Sequence, residues 1–209
     1  MKKLFIPVKS KAKANSKKIL KLSEKLPKNI AIAYSIQYQD IAFEIKKILK
    51  HKNITAFIQV LGCSVPTFSS KTNAVLLIGS GKFHGISLAL NTKLPVYVLN
   101  SNTLEIISKQ DIEKIQKKQR ASYLRYLTSN KVGLLISIKP GQNRLQRALD
   151  FKKKLKNKKA YLFLSNNINS QELENFKIDS WINTACPRLD FDSSAIVNMS
   201  MLNLSNREQ

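Results

Sequence analysis

The sequence is short of several residues on which common classes of protein depend. Its 209 residues include two cysteines, two histidines and 13 acidic residues. Two cysteines are too few for a disulfide framework. No stretch reaches the roughly 18 to 20 consecutive apolar residues of a membrane span, and the apolar run at the N-terminus is too short for a signal peptide. We therefore expect a cytoplasmic protein.

Motifs of several enzyme and binding classes are also missing. Neither the Gly-x4-Gly-Lys-Ser/Thr phosphate loop nor the three-glycine dinucleotide fingerprint occurs. There is no Gly-x-Ser-x-Gly nucleophile elbow, and no zinc-finger spacing, RNA-binding aromatic motif or Arg-Gly repeat. Hydrolysis is therefore not expected. Because His51 lies in a lysine-rich, solvated helix end, His84 is the main candidate for imidazole chemistry.

Positive charge is what the chain has in excess. Lysine and arginine number 36, which gives a formal net charge of +23. The basic residues concentrate in residues 1–30 and 139–159, whereas acidic residues outnumber them from Ser170 onward. A positive charge of this size favours binding to an acidic partner or a nucleic acid. A lysine-rich compositional bias explains the same numbers, and the sequence leaves both interpretations open.

Short apolar segments alternate with helical patterns along the chain. Strands are predicted at residues 4–8, 30–34, 54–61, 74–78, 95–99, 132–138, 159–164 and 180–183, and helices at 16–26, 40–50, 84–90, 110–130, 143–156 and 171–176. Residues 193–209 are expected to form a short strand and a loose tail. Alternating strands and helices favour parallel sheets. The sequence therefore predicts an α/β fold with two small similar domains, 1–108 and 131–209, each a parallel sheet flanked by helices, with a bridging helix at 109–130.

Both cysteines come just after a predicted strand. Cys63 follows residues 54–61, and Cys186 follows residues 180–183. Open α/β sheets bind ligands beyond the carboxyl ends of their strands. We therefore expect the cysteines on equivalent loops of the two domains, which suggests a shared ligand such as an iron–sulfur cluster. Free cysteine is also a common small buried residue, and the two thiols alone do not decide between these interpretations.

A second motif, Gly79-Ser-Gly-Lys-Phe-His84, follows a predicted central strand. Two glycines before a helix allow backbone N–H groups to approach an anion such as a phosphate or a carboxylate. A tight turn requires the same residues, so the motif alone is compatible with both roles.

Charged residues follow Cys186. Pro187 fixes the backbone, and Arg188 offers a planar fork to a carboxylate. Asp190 and Asp192 alternate along a predicted extended stretch, so both are expected to face the same side. An exposed Arg–Asp pair of little energetic weight is the alternative.

Taken together and in order, these motifs resemble the diphthamide synthase family, also called 2-(3-amino-3-carboxypropyl)histidine synthases. The similar segments are Ser35-Ile-Gln-Tyr38, Leu61-Gly-Cys63, Gly79-Ser-Gly-Lys-Phe-His84, and Ala185-Cys-Pro-Arg-Leu189 with Asp192. The resemblance extends from about residue 3 to residue 192.

The resemblance implies three similar α/β domains, each with one cysteine ligand to a central [4Fe–4S] cluster that binds S-adenosylmethionine. It implies that a 3-amino-3-carboxypropyl radical is transferred to a histidine of translation elongation factor 2. By matching position, Cys63 and Cys186 are expected to be metal ligands. Gly79, Ser80, Gly81 and His84 are expected to bind the cofactor S-adenosylmethionine, and His84, Arg188 and Asp192 to serve catalysis.

The chain departs from the family pattern at two points. The N-terminal domain with its cysteine is missing, and position 80 is Ser where many members have Asp. Because two thiolates cannot bind a cubane in the usual three-cysteine manner, we expect a partner chain, either a separate N-terminal domain or a paralogue, to supply the third cysteine. One alternative is a non-catalytic member that stabilises a paralogue or binds the elongation factor. The other is a basic RNA-binding protein with buried cysteines.

Overall fold

The structure, a computed structural model, describes residues 6, 8–61 and 64–205; the side chains of Asp192 and of residues 203–205 lie outside this description. The chain forms two compact units, Met1–Ile112 and Glu113–Gln209. Within the described residues, no helix is long and apolar enough to cross a membrane.

The first unit is built on a five-stranded sheet. Its strands are β1 (Asn29–Tyr34), β2 (Asn53–Gln59), β3 (Ala74–Ile78), β4 (Val96–Asn100) and β5 (Thr103–Ile106), and its helices are α1 (Ser16–Ser23), α2 (Gln39–Ile48) and α3 (Lys82–Thr92). The spatial order is β2-β1-β3-β4-β5. Strands β1 to β4 are parallel, and β5 pairs antiparallel with β4.

Helices cover both faces of this sheet, because β3 and residues 30–34 of β1 are apolar and buried. Ile19 of α1 and Ile45 of α2 are buried against one face, together with Ile32. Leu88 of α3 is buried against the other face, together with Val75. At the ends of α1 and α2, the exposed His51 lies with its Nε2 3.1 Å from Ser23 Oγ.

The second unit has a four-stranded, fully parallel sheet. Its strands are β6 (Lys131–Ser137), β7 (Lys159–Ser165), β8 (Ser180–Asn183) and β9 (Ile196–Asn198), in the order β7-β6-β8-β9. Its helices are α4 (Lys109–Thr128), which begins in the first unit, α5 (Leu145–Lys154), α6 (Leu189–Asp192) and α7 (Met199–Ser205). Residue 133 is glycine because any side chain there would overlap the ring of Trp181.

The prediction of an α/β fold with parallel sheets flanked by helices is confirmed. Two elements differ from the expected pattern: β5 was not predicted, and residues 199–205 form a helix within the expected loose tail. The predicted strand 4–8 lies largely outside the described residues, and neither Ile6 nor Val8 is in a strand. The predicted domain boundaries at 108 and 130 stay a prediction. In the structure, the chain passes from the first unit to the second between Ile112 and Glu113, within α4.

Candidate functional site

Each sheet has one point at which strands are added on opposite sides. After β1 the chain places β2 on one side and β3 on the other, and after β6 it places β7 and β8 in the same way. Ligands of open α/β sheets bind beyond the carboxyl ends of the strands at such a point. The loops that leave β3 and β8 are therefore the candidate sites of the two units.

In the first unit, this loop is Gly79-Ser80-Gly81. Gly79 is buried, its N–H donates to the carbonyl oxygen of Leu99 (3.2 Å), and a Cβ there would lie 3.6 Å from Ser35 Oγ. Gly81 has φ +83° and ψ 147° at the N-cap of α3, a conformation that favours glycine. No cap side chain bonds the first helical turn. This end of α3 therefore suits an anion.

His84 lies in the first turn of α3, beside the glycine loop. It is half-buried, and its ring meets Phe83 edge-on, with 5.4 Å between the ring centroids. Lys82 Nζ lies 3.6 Å from Asp111 Oδ2. The four residues predicted to bind S-adenosylmethionine thus share one loop and one helical turn; their role stays a prediction.

Gly85 lets α3 approach the sheet closely. A Cβ at this position would lie 2.7 Å from Ile107 Cδ1 and 3.0 Å from Val98 Cγ2. A larger residue would push α3 away from the sheet, and His84 and the glycine loop with it. Sequence reasoning missed Gly85, although a third glycine so close to the motif was an available signal.

In the second unit, two buried asparagines hold the loop of Cys186. Asn183 Nδ2 donates to the carbonyl oxygen of Cys186 (2.7 Å) and to Asn198 Oδ1 (2.6 Å), while Asn183 Oδ1 accepts from the N–H of Ala185 (2.9 Å). Asn198 Nδ2 donates to the carbonyl oxygen of Pro187 (3.1 Å). We call Asn183 and Asn198 the asparagine clamp. It fixes the backbone on both sides of the half-buried Cys186.

Helix α4 holds the segment that follows Cys186. Lys118 Nζ donates to the carbonyl oxygen of Phe191 (2.8 Å), and Gln119 Nε2 donates to Asp190 Oδ2 (2.9 Å). Asp190 is only 1% exposed. Sequence reasoning missed these contacts and the asparagine clamp, because they join residues far apart in the chain and no local pattern indicates them.

The segment after Cys186 is helical, so the prediction of an extended stretch with Asp190 and Asp192 on one side is wrong. Leu189–Asp192 forms α6, with the exposed Arg188 at its N-cap. Pro187 precedes this N-cap, where its missing N–H costs the helix no hydrogen bond. Cys186, Arg188 and Asp192 share this loop and helical turn, and the side chain of Asp192 lies outside the described residues.

The two cysteines do not follow corresponding strands, so the expectation of equivalent loops is wrong. Cys63 follows β2, at the edge of its sheet, whereas Cys186 follows the inner strand β8. The counterpart of the Cys186 loop is the glycine loop after β3. Cys63 itself lies outside the described residues. Beside it, the N–H of Leu61 donates to Ser64 Oγ (2.7 Å) and the N–H of Ser64 donates to the carbonyl oxygen of Leu61 (3.0 Å).

The cysteines fit an iron–sulfur cluster only in part. Among residues 6, 8–61 and 64–205, no three His, Cys, Asp or Glu side chains gather to hold a metal. Cys186, on a fixed and half-buried loop, fits the role of one thiolate ligand. With two cysteines in the whole sequence, the chain offers at most two of the three thiolates that the resemblance implies.

Two groups with shifted pKa values lie outside these loops. Hydrogen bonds from the N–H groups of Lys131 (2.7 Å) and Asn130 (2.9 Å) lower the pKa of Asp179, which precedes β8. Burial, and then the neighbouring Tyr123, raise the pKa of Tyr126 on α4. Both groups belong to the packing of the second unit.

Known proteins are similar to this chain in sequence and fold. Residues 1–202 match the family model of diphthamide synthesis proteins. The chain is 30% identical over 182 residues to the 2-(3-amino-3-carboxypropyl)histidine synthase of Pyrococcus horikoshii, which covers 81% of this chain and 53% of that protein. It is 33% identical over 172 residues to the synthase of Methanocaldococcus jannaschii, covering 79% and 46% respectively.

Two solved structures are similar to this chain in fold. The crystal structure of Dph2 from Pyrococcus horikoshii matches with a TM-score of 0.79 and 25% identity, over 94% of this chain and 63% of that one. A crystal structure of the same protein with a 4Fe-4S cluster matches with a TM-score of 0.74, over 92% and 62%. The chain spans about half the length of the curated relatives it matches. Because the family model covers all but the last seven of its 209 residues, the chain belongs to the diphthamide synthesis protein family.

Proposed function

We propose that this chain is a subunit of an iron–sulfur, S-adenosylmethionine-dependent 2-(3-amino-3-carboxypropyl)histidine synthase. The reaction transfers a 3-amino-3-carboxypropyl group to a histidine of translation elongation factor 2, the first step of diphthamide biosynthesis, and a translation factor as substrate implies action in the cytoplasm. The observation that carries the proposal is the match over residues 1–202, joined to a fold shared with a Dph2 that holds a 4Fe-4S cluster.

Cys63 and Cys186 are the proposed metal ligands of this chain. The asparagine clamp supports the role of Cys186, because a ligand on a fixed backbone needs little reorganisation to bind metal. When bound, the cluster supplies the electron that breaks the Cγ–S bond of S-adenosylmethionine. The third thiolate is proposed to come from a partner chain, a separate N-terminal domain or a paralogue, that supplies the part of the relatives' length this sequence does not span.

The glycine loop and α3 are the proposed binding site for S-adenosylmethionine. Its carboxylate is the one anionic group of that molecule, and the beginning of α3 suits an anion. Gly79, Ser80 and Gly81 contribute the backbone of this site, and His84 contributes a ring beside it. Arg188 and Asp192 are proposed to act from the loop and helical turn of Cys186.

Anaerobic reconstitution with iron and sulfide tests the proposal. The chain is reconstituted alone and with the N-terminal part of the Pyrococcus horikoshii synthase that it does not match. We expect the visible absorption of an iron–sulfur cluster, and release of methylthioadenosine from S-adenosylmethionine after reduction, only with the partner. Absence of both signals with the fragment and with full-length paralogues contradicts the proposal.

Substitution of both cysteines separates an enzyme subunit from a non-catalytic one. Cys63→Ser with Cys186→Ser is expected to abolish diphthamide formation in cells that depend on this chain. Unchanged diphthamide levels would instead assign it a scaffolding role. Serine keeps the size of the side chain, so expression of the folded variant is the control.

A further inference from the structure

Lysine and asparagine recur where the parallel strands of the first sheet begin. Strand β1 is preceded by Lys28 and begins at Asn29, β2 is preceded by Lys52 and begins at Asn53, and β3 follows Lys71-Thr72-Asn73. Lys93 precedes β4. Because β2, β1, β3 and β4 are neighbours in that order, these lysines form a row of about 14 Å, with strands spaced at about 4.8 Å. We call this row the amino edge.

Strand register, and not composition alone, brings the asparagines together. Asn29 pairs with Asn53 between β1 and β2, and Asn53 Nδ2 donates to Asn29 Oδ1 (3.0 Å). The N–H of Asn73 donates to the carbonyl oxygen of Asn29 (3.0 Å). A compositional bias would spread lysine over both edges of the sheet. At the opposite edge, segments 35–38, 60–70, 79–81 and 100–102 contain neither lysine nor arginine, and Lys82, which follows the glycine loop, is paired with Asp111.

Most charges of the amino edge are available to a partner. Lys28, Lys71 and Lys93 are exposed, as is Lys50 in the turn before β2. Within the described part of the chain, the ion pairs are Lys9–Asp40 and Lys82–Asp111, and neither involves these four lysines. Lys52 differs, because its Nζ donates to the carbonyl oxygen of Leu26 (2.7 Å) and so has a structural role.

We propose that the amino edge binds the phosphate backbone of RNA. Lysine ammonium groups attract phosphates, and amide side chains bond phosphate and sugar oxygens. An RNA backbone presents phosphates and 2′-hydroxyls together. An anionic membrane is the less suitable partner, because the lysines, asparagines and Thr72 of this row include no large apolar side chain to insert between lipids, and the exposed Ile106 lies beyond the row on β5. This surface lies at the other edge of the sheet from the glycine loop and does not depend on the function proposed above.

Salt-dependent binding tests the proposal. Fluorescence anisotropy measures binding of the full chain to a single-stranded uridine RNA of about 20 nucleotides. The edge variant carries Lys28→Gln, Lys50→Gln, Lys71→Gln and Lys93→Gln. Each phosphate contact contributes about 0.7 to the log–log slope of affinity against salt, so this variant is expected to lower the slope by about 3.

A matched variant removes the same charge elsewhere. Lys117→Gln, Lys139→Gln, Arg144→Gln and Arg147→Gln change four residues that are also exposed, and this control is expected to change the slope by less than about 1. Replacing the four edge lysines with arginine is expected to leave the slope of affinity against salt unchanged. Equal losses in the edge and control variants would show that net charge alone drives binding. Tighter binding to phosphatidylserine vesicles or to polyglutamate than to RNA would also overturn the proposal.

Discussion

Asn183 acts at the residue scale through both ends of its amide. Its Nδ2 donates hydrogen bonds to two acceptors and its Oδ1 accepts one, and all three bonds lie next to Cys186. Among side chains of this size, only a carboxamide donates and accepts in this way. The position of the proposed metal ligand therefore depends on the chemistry of a residue that binds no metal.

Asn183→Asp tests this dependence. A carboxylate keeps the shape but cannot donate, and it would face Asn198 Oδ1 in a site where Asn183 is 3% exposed. We expect a loss of about 3 kcal/mol in the free energy of unfolding, measured by urea denaturation. Asn166→Asp, at an exposed position, is the matched control. Similar losses in both variants would contradict a special role for the asparagine clamp.

Gly85→Ala tests the close packing of α3. Alanine favours helix by about 1 kcal/mol, yet its Cβ would meet Ile107 Cδ1 at 2.7 Å. We expect a net loss of about 1–2 kcal/mol in unfolding free energy, because overpacking outweighs helix propensity. Adding Ile107→Val removes the clashing atom and is expected to recover part of the loss. If Gly85→Ala alone is as stable as the parent, α3 can move away from the sheet at no cost in free energy.

At the scale of elements, α4 anchors α6. Gln119 and Lys118 reach residues about 70 positions later in the chain, so a helix of one turn is held by a helix of 20 residues. Short helices are not stable alone in water. The order of the Cys186 segment therefore depends on α4.

Gln119→Ala is expected to loosen α6. The buried Asp190 loses the hydrogen bond that Gln119 donates, and amide hydrogen exchange over residues 186–192 is expected to accelerate at least tenfold, which corresponds to about 1.4 kcal/mol of local stability. Gln116→Ala changes the same residue type at an exposed position of α4 and is expected to leave this exchange unchanged. A uniform acceleration over the whole unit would argue against a local anchor.

Asp179 links the beginning of β6 to the beginning of β8, and this link depends on pH. Its pKa is below the ordinary value of 3.8 in the folded protein, so its stabilising effect is present above that value and is lost as pH falls through the folded pKa. Because the side chain is exposed, we expect at most about 1 kcal/mol. Asp179→Asn is expected to be less stable than the parent at neutral pH and equally stable in acid. The free energy of unfolding of both proteins is measured against pH. If the variant and the parent differ by the same amount at every pH, the ionised carboxylate is excluded as the cause.

The sequence predicted elements well where apolar residues recur regularly. Strand β3 begins and ends as predicted, since a buried parallel strand is a continuous apolar run. Strand β8 also has the predicted bounds, although only Trp181 and Ile182 of its four residues are apolar. β5 escaped prediction because it has only four, mostly exposed residues and pairs antiparallel at an edge. The helical form of α6 escaped because its stability comes from α4. The motifs located the loops of the candidate site, because each motif is local in sequence. They did not locate the residues that hold these loops, because those residues lie elsewhere in the chain.

At the scale of the whole molecule, the first sheet separates two kinds of chemistry. At its carboxyl edge lies the glycine loop, beside which Lys82 is paired with Asp111, whereas its amino edge presents a row of lysines. The two proposed ligands, a cofactor bound through its carboxylate and an RNA backbone, would therefore bind the same unit without competing for one surface. Each sheet also has its own apolar core.

Removal of iron is therefore expected to leave the chain folded. Treating the reconstituted complex with a chelator should abolish its visible absorption while the far-ultraviolet circular dichroism stays unchanged, because no proposed metal ligand belongs to the described apolar cores. The untreated complex is the control. Loss of secondary structure on chelation would show that metal binding is coupled to folding, as in zinc fingers.

The asparagine clamp also makes the protein subject to chemical ageing. Hydrolysis of either amide to a carboxylate would turn a donor into an acceptor at the point where Asn183 and Asn198 meet. One such event, with no change in the rest of the chain, would leave a buried negative charge next to the loop of Cys186. Such an event would damage the proposed metal site by a covalent route that is separate from the unfolding equilibrium of the chain.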